Sequence, residues 1–505
     1  MKFSWRFVGR FAVVLVTVAL VAVSCGRALS DEEALQISDP PRTTEAGSQA
    51  EFGFTGDADR FAPSTSPDKL QPGPITASGE GAESDEAIKV EGDESEELAD
   101  AASAAQAANV DQSGVAADFD TPASSSERYV DAQNGNDDAS GTSETDAWRT
   151  LGKGIAELEV GMTLWVMNGT YNEHLRGIQG HYVVDGLQGS PDQWTRILAL
   201  PGHQPRIEVT KATGIEIINS SYVELGGFEI EGAGFTESTP ADADQRRKPR
   251  GVLGVNGHHF YFHDLEVHGL PHSGIAGGEN SSHFRIENNR VYNNALWSDE
   301  GGSGISLWRL NNVGGGDDAD GYSNYIVGNT LYANENREKC GCVGFRAISD
   351  GNGIIIDDSL LNDYQGRTLI ASNVAFNNGG RAINVHKSAR VDVFNNTTYE
   401  NSFTADLDGP RAELAAYNSF DIRIQNNLLW PSTDVPHVYA NSDIDISSNM
   451  LVAAEDGVDG ANILVRDPGV VSASTDPASA DFRPLNGSPA IGAGTEGRTV
   501  GAYQQ

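Results

Sequence analysis

Two short columns of charged and aromatic residues carry the chemistry this chain can offer. The segments GISLWR (304–309), GIIIDD (353–358), AINVHK (382–387) and LAAYNS (414–419) align on their apolar positions. That alignment places Leu307, Ile356, Val385 and Ala416 in one inward column. The next residues form a second column, Trp308, Asp357, His386 and Tyr417, and a third, Arg309, Asp358, Lys387 and Asn418. Parallel strands about 4.8 Å apart bring such columns into contact. Acids and bases at that range shift each other's pKa values, and such clusters are often functional. Lys387, Asp358, Arg309 and His386 are therefore the candidate catalytic residues. Trp308 and Tyr417 offer aromatic faces to a sugar ring, with Asn418 beside them as a further binding group. Asp350 approaches the same strand in DGNGIIIDD and joins Asp357 and Asp358 as an oxygen donor for a cation. Two carboxylates can also hydrolyse a glycoside. Asp357 and Asp358 are sequential and diverge on a strand, so Asp358 with Asp350 or Asp299 is the alternative pair, His386 tuning the acid. The same residues would also make a plain surface ion-pair ladder, which is worth little.

A repeat must position these columns. The phrase apolar–x–apolar–x–(Asn)–Asn–x–apolar–aromatic returns as FRIENNRVY, YIVGNTLY, TLIASNVAF, VDVFNNTTY, IRIQNNLLW and IDISSNMLV. Its anchor falls at Asn289, Asn329, Asn373, Asn396, Asn427 and Asn449, with Phe228 and Leu265 in the same slot of two weaker copies. The intervals run from 22 to 44 residues. The short ones suit one turn of a parallel β-helix, and the long ones add an insertion. Period-two alternation of Ile, Val, Leu, Tyr and Phe supports strands. Asn at the bend tolerates left-handed backbone and can bond its counterpart on the next turn. Insertions 310–324 and 359–367 leave from the edge that bears the charged columns, and a solenoid's insertions often mark its binding face.

The chain opens like an exported protein. Lys2, Arg6 and Arg10 precede an apolar run from Phe11 to Val23, too short to span a bilayer and suited to a signal peptide over residues 1–25. Val23-Ser24-Cys25-Gly26 resembles a lipobox, with Cys25 as the lipidated residue and membrane anchor. Residues 26–126 carry 22 acidic and 5 basic side chains and few large apolar ones. Such a segment cannot offset its chain entropy by burial and is expected to be a solvated tether. Of the net charge of −38, about −24 falls on residues 127–505, the expected folded domain. So acidic a surface repels nucleic acid. Cys340 and Cys342, in EKCGCVG, are expected as a small loop disulfide or as free thiols. His263 and His268 in FHDLEVH stand five apart on a strand, on opposite faces, and no shared metal is expected there. A helix over 146–158, capped by Asp146 with Trp148, Leu151, Ile155 and Leu158 on one stripe, is the candidate lid for the start of the tube. The Asp-rich loop before it could take Ca²⁺.

YVDAQNGNDDASGTSETDAWRTLGKGIAEL, GMTLWVMNGTYNE and the ending DPG…DFRPLNGSPAIGAG…VGAYQ resemble the opening and closing modules of secreted pectate-lyase-like right-handed parallel β-helix proteins. The resemblance implies an all-β single-stranded solenoid with an N-terminal capping helix. It also implies a carbohydrate-active protein, with β-elimination on a uronate polysaccharide as the first expectation. In that scheme Asp357, Asp358 and Asp350 hold Ca²⁺, Lys387 removes the C5 proton, and Arg309 binds the sugar carboxylate. Hydrolysis or binding without catalysis remain the alternatives on this scaffold. The expected partner is a polysaccharide, met by a monomer held at the membrane surface.

Overall fold

The computed structural model describes residues 121–504 apart from 123–125, 176–177, 236–248, 319, 340–346, 441–443 and 455–460. The leader with Cys25, the tether up to residue 120, and Cys340 and Cys342 lie outside the described residues.

Each turn of the chain contributes strands to three parallel sheets. Sheet 1 has 11 strands, from Ser126–Val130 to Ile444–Ser447. Sheet 2 also has 11, from Thr170–Tyr171 to Ile463–Val465. Sheet 3 has 9, from Tyr182–Asp185 to Val438–Ala440. This is the parallel β-helix that the repeat predicts. Alternation along each strand sends one side chain into the tube and the next outward. In sheet 3 the inward rows are Ile305, Ile354, Ile383, Leu414 and Leu307, Ile356, Val385, Ala416. With Phe260, Phe284, Ile286 and Val291 they belong to one continuous apolar core. Branched side chains dominate it because they fit a pleated wall that is buried on its inner face.

The two jobs expected of the anchor Asn fall on different residues. The left-handed residue is the one before it, with φ 56° at Asn288, 54° at Ser372, 54° at Asn395 and 56° at Asn426. The anchor itself turns inward and bonds along the stack. Nδ2 of Asn289, Asn329, Asn373, Asn396 and Asn427 each donates to Oδ1 of the next anchor at 2.9 Å. Asn449 continues to Asn462 at 3.1 Å. A second buried ladder runs through Asn294, Asn334, Asn378 and Asn401 and ends on Oε2 of Glu413, 2.7 Å from Asn401 Nδ2. The bends thus satisfy polar groups that the dry interior would otherwise strand.

The capping helix is shorter than its apolar stripe predicts. It spans Leu151–Ala156, with the Thr150 side chain accepting from Lys153 N. Asp146 instead closes a 3₁₀ turn, Glu144–Asp146, and Trp148 lies in an extended bridge to Val130. The cause is Asp137: its carboxylate accepts from the N–H of Arg149 (2.8 Å) and Thr150 (2.9 Å) and from the Thr150 hydroxyl, which fixes the helix start there. Two further acids of the loop are also occupied. Asp131 accepts from Gln133 N and Asn134 N, and Asp146 from Ser140 N. These carboxylates hold the loop's own shape. At the other end, residues 466–504 fold back along the side of the tube. Phe482 packs on Tyr332, Val374 and Phe376 of sheet 2, and Ala502 N donates to Thr397 Oγ1.

Candidate active site

Sheet 3 sets the register that the charged columns need. Trp308 pairs with Asp357, Asp357 with His386, and His386 with Tyr417 on successive strands. The residue after each strand turns the chain out of the sheet in the left-handed region. Arg309 has φ 49°, Asp358 54°, Lys387 43° and Asn418 53°. These corner residues are locked by backbone bonds from Arg309 N to Asp357 O, Asp358 N to His386 O and Lys387 N to Tyr417 O. Left-handed backbone favours Gly and Asn. The same corner is left-handed on other turns, at Asn219, Asn256 and Glu279, so the fold sets this backbone and the side chains at Arg309, Asp358 and Lys387 are what distinguish these turns.

The side chains converge. Arg309 Nε lies 3.8 Å from Asp358 Oδ2, and Lys387 Nζ lies 3.3 Å from Asp358 Oδ1. His386 Nδ1 is 2.8 Å from Asp357 Oδ1, and its ring sits 4.5 Å from that of Tyr417. Ligand atoms of Asp357, Asp358 and His386 all lie within 4.8 Å of one another, close enough to share a metal ion. Asp350 is outside that group but near it. Burial, and then the charge of Asp357, push its carboxyl up to about 6, against hydrogen bonds from Ser349 and Asn352. Trp308 leans toward the preceding turns, where the Arg250 guanidinium lies 5.8 Å from its ring. Asn418 holds the last corner of the row. Asp299 lies on the loop before Ile305–Trp308, away from the corner that carries Asp358.

Several groups here escape a reading by columns. Arg381 is fully buried, its Nε and Nη2 each 2.7 Å from the carbonyls of Pro410 and Asp408. It lies close enough to Asp350 and Tyr417 for its charge to act on both. Burial raises the Tyr417 hydroxyl, and the positive charge of Arg381 opposes that rise. Asn384 stands two residues before His386, on the same outer face, and bonds the Tyr417 hydroxyl. Alternation could have found Asn384. Nothing in GGRAIN marks Arg381 as buried. Asn384 Oδ1 is buried with no hydrogen-bond partner among the described residues, and Asp358 Oδ1 meets Lys387 Nζ. An orphaned buried oxygen calls for an explanation, and a bound ligand or ion is one.

The donors fit a divalent cation. Two carboxylates supply oxygen, as Ca²⁺ requires, and a cation there would compete with Lys387 for Asp358 Oδ1. The His386 nitrogen adds a donor better suited to a transition metal.

No protein-family model matches the chain, and no curated protein sequence matches it. Among solved structures, pectate lyase Pel9A is similar at 18% identity over 76% of this chain and 97% of its own, with a TM-score of 0.48. A rhamnogalacturonan lyase follows at 16% over 72% and 95%, with 0.46. An alginate lyase from Paenibacillus sp. str. FPU-7 gives 13% over 58% and 96%, with 0.34. These are remote likenesses, and the fold of this chain rests on its own strand pairing.

Proposed function

We propose that the protein is a carbohydrate-active enzyme that cleaves a uronate-containing polysaccharide by β-elimination at the outer corner of sheet 3. The observation that carries this reading is the convergence of Arg309 and Lys387 on the Asp358 carboxylate, Arg309 at Oδ2 and Lys387 at Oδ1. Arg309 binds the uronate carboxylate and draws charge from it. Lys387, as the amine, takes the C5 proton. The C5–H electron pair forms the C4–C5 double bond, and the glycosidic oxygen at C4 leaves with a proton from water. Tyr417 and Trp308 stack on sugar rings along the groove. Asp357, Asp358 and His386 would hold a divalent cation, which when bound neutralises the carboxylate and makes the C5 proton more acidic. Asp350 and Arg381 set the charge around that group. The leader and Cys25 accord with an exported protein anchored at a membrane surface, its substrate outside the cell.

A hydrolase reading has one observation in its favour. Asp350 is held protonated up to about 6 beside Asp357, the pairing that acid-assisted glycoside hydrolysis uses. The two readings differ in product. Purified protein is incubated with pectin, alginate and glycosaminoglycans, with and without EDTA. Ultraviolet absorbance from an unsaturated uronate, lost in EDTA and restored by Ca²⁺ or Mn²⁺, supports elimination. New reducing ends without that absorbance overturn it for hydrolysis. Binding with neither product leaves a glycan-binding protein.

A further inference from the structure

Three of the chain's 11 histidines meet away from this corner, beneath insertion 310–324. His258 and His259 open the strand His258–His263 of sheet 1, and His283 follows one turn later in Ser282–Glu287. His259 and His283 have φ 55° and 56°, which swings both side chains out of the strand's alternation into one column. Their rings stack at 4.4 Å and 12°, and Tyr222 extends the stack at 4.3 Å. The insertion lays Gly314-Gly315-Gly316 over them. A side chain at Gly314 would come within 3 Å of His258 and His283, so the loop is shaped to lie on the imidazoles. It then delivers Asp318, whose carboxylate comes within 4.8 Å of ligand atoms of both His259 and His283.

We propose that His259, His283 and Asp318 form a binding site for a divalent transition metal of the zinc class, which ties insertion 310–324 to sheet 1. Two imidazoles and one carboxylate are a borderline donor set. It favours Zn²⁺, Co²⁺ or Ni²⁺ over Ca²⁺, which takes oxygen. Metal ligation needs neutral imidazole. The supporting bonds are of the kind that orient ligands. His283 Nε2 donates to the Gly316 carbonyl at 3.0 Å, which leaves Nδ1 as the ligating atom, because the neighbouring Ser282 hydroxyl donates to the Val313 carbonyl instead. Asp318 Oδ2 accepts from the Tyr325 hydroxyl at 3.2 Å. His258 Nδ1 sits 2.8 Å from His259 Nδ1 and leaves Nε2 of His259 for the metal. Stacked rings carry their lone pairs side by side, so binding must turn one of them. His259, whose hydrogen-bond partner is another imidazole, is the ring that turns. That cost makes the site weaker than a pre-formed zinc site. The metal would then act on the loop that flanks the sheet 3 corner.

The test uses the full chain carrying Asp358→Asn, which weakens the other cluster that could take a metal. After dialysis against EDTA, Zn²⁺ is titrated by calorimetry and Co²⁺ by its visible d–d absorption. One equivalent of each is expected, with a Tm raised by a few degrees and no competition from excess Ca²⁺. His259→Ala and Asp318→Asn, added singly, are expected to weaken binding at least about tenfold and to change the Co²⁺ spectrum. Asp318 is exposed, so its variant folds even if a buried histidine variant does not. No binding of Zn²⁺ or Co²⁺, an affinity unchanged by both substitutions, or displacement by Ca²⁺ would each overturn the site.

Discussion

At the scale of single residues, burial decides which acids matter. Glu413 is fully buried and ends the second ladder, accepting from Asn401 N at 2.8 Å as well as from its Nδ2. Desolvation pushes its carboxyl up to about 7 from an ordinary 4.5. Between those values the folded chain holds a proton that the unfolded chain has released. Stability is therefore present in full below about 4.5 and is lost as pH rises toward about 7. Melting curves taken across that window are expected to show a falling Tm, and Glu413→Gln to flatten the fall. An unchanged slope in the variant would assign the dependence elsewhere, with Asp350 as the next group to test. The corner residues Arg309, Asp358 and Lys387 could be read from sequence because apolar spacing fixes register, and register fixes neighbours. Arg381, Asn384 and Glu413 could not be read as a group. Their importance comes from loops that bury them, and a loop's path is not written in a period.

At the scale of elements, the anchor ladder is the part of the fold that a single substitution exposes best. Asn373 accepts from Asn329 N and Nδ2 and donates to Asn396 Oδ1. Asn373→Ala leaves buried donors on one turn and a buried acceptor on the next. A loss of about 3 kcal/mol is expected, read as a lowered denaturant midpoint. A change below about 0.5 kcal/mol, the range of an ordinary surface substitution, would mean that water replaces the missing amide. The anchors were visible because they share a phrase. The second ladder was not, because Asn294, Asn334, Asn378 and Asn401 follow sheet 2, where the phrase has already ended. The capping helix shows the opposite error. Its apolar stripe extends back to Trp148, but Asp137 captures the backbone at Arg149 and Thr150 and starts the helix later. Side-chain capture from a distant loop overrides a local stripe.

At the scale of the whole molecule, the tube stacks the residues of successive turns into straight outer rows, and insertions 310–324 and 359–367 leave from the corner that ends the sheet 3 row. Thr121 bridges Arg196 (2.6 Å) and Glu224 (2.6 Å) on sheet 1, so deletion of residues 1–119 is expected to leave Tm and polymer cleavage unchanged. A lower Tm in the truncated chain would show that the preceding residues also pack. The architecture followed from repeat length and alternation, which are properties of every turn. The proposed reaction rests on three corners and needs a direct test. The most direct is the rate at which unsaturated uronate appears from the best polymer substrate, compared between the native chain and Lys387→Ala. The proposed base predicts a fall of about 10²- to 10⁴-fold with Tm unchanged. An undiminished rate in a folded Lys387→Ala protein would contradict the assignment of the sheet 3 corner as the catalytic site.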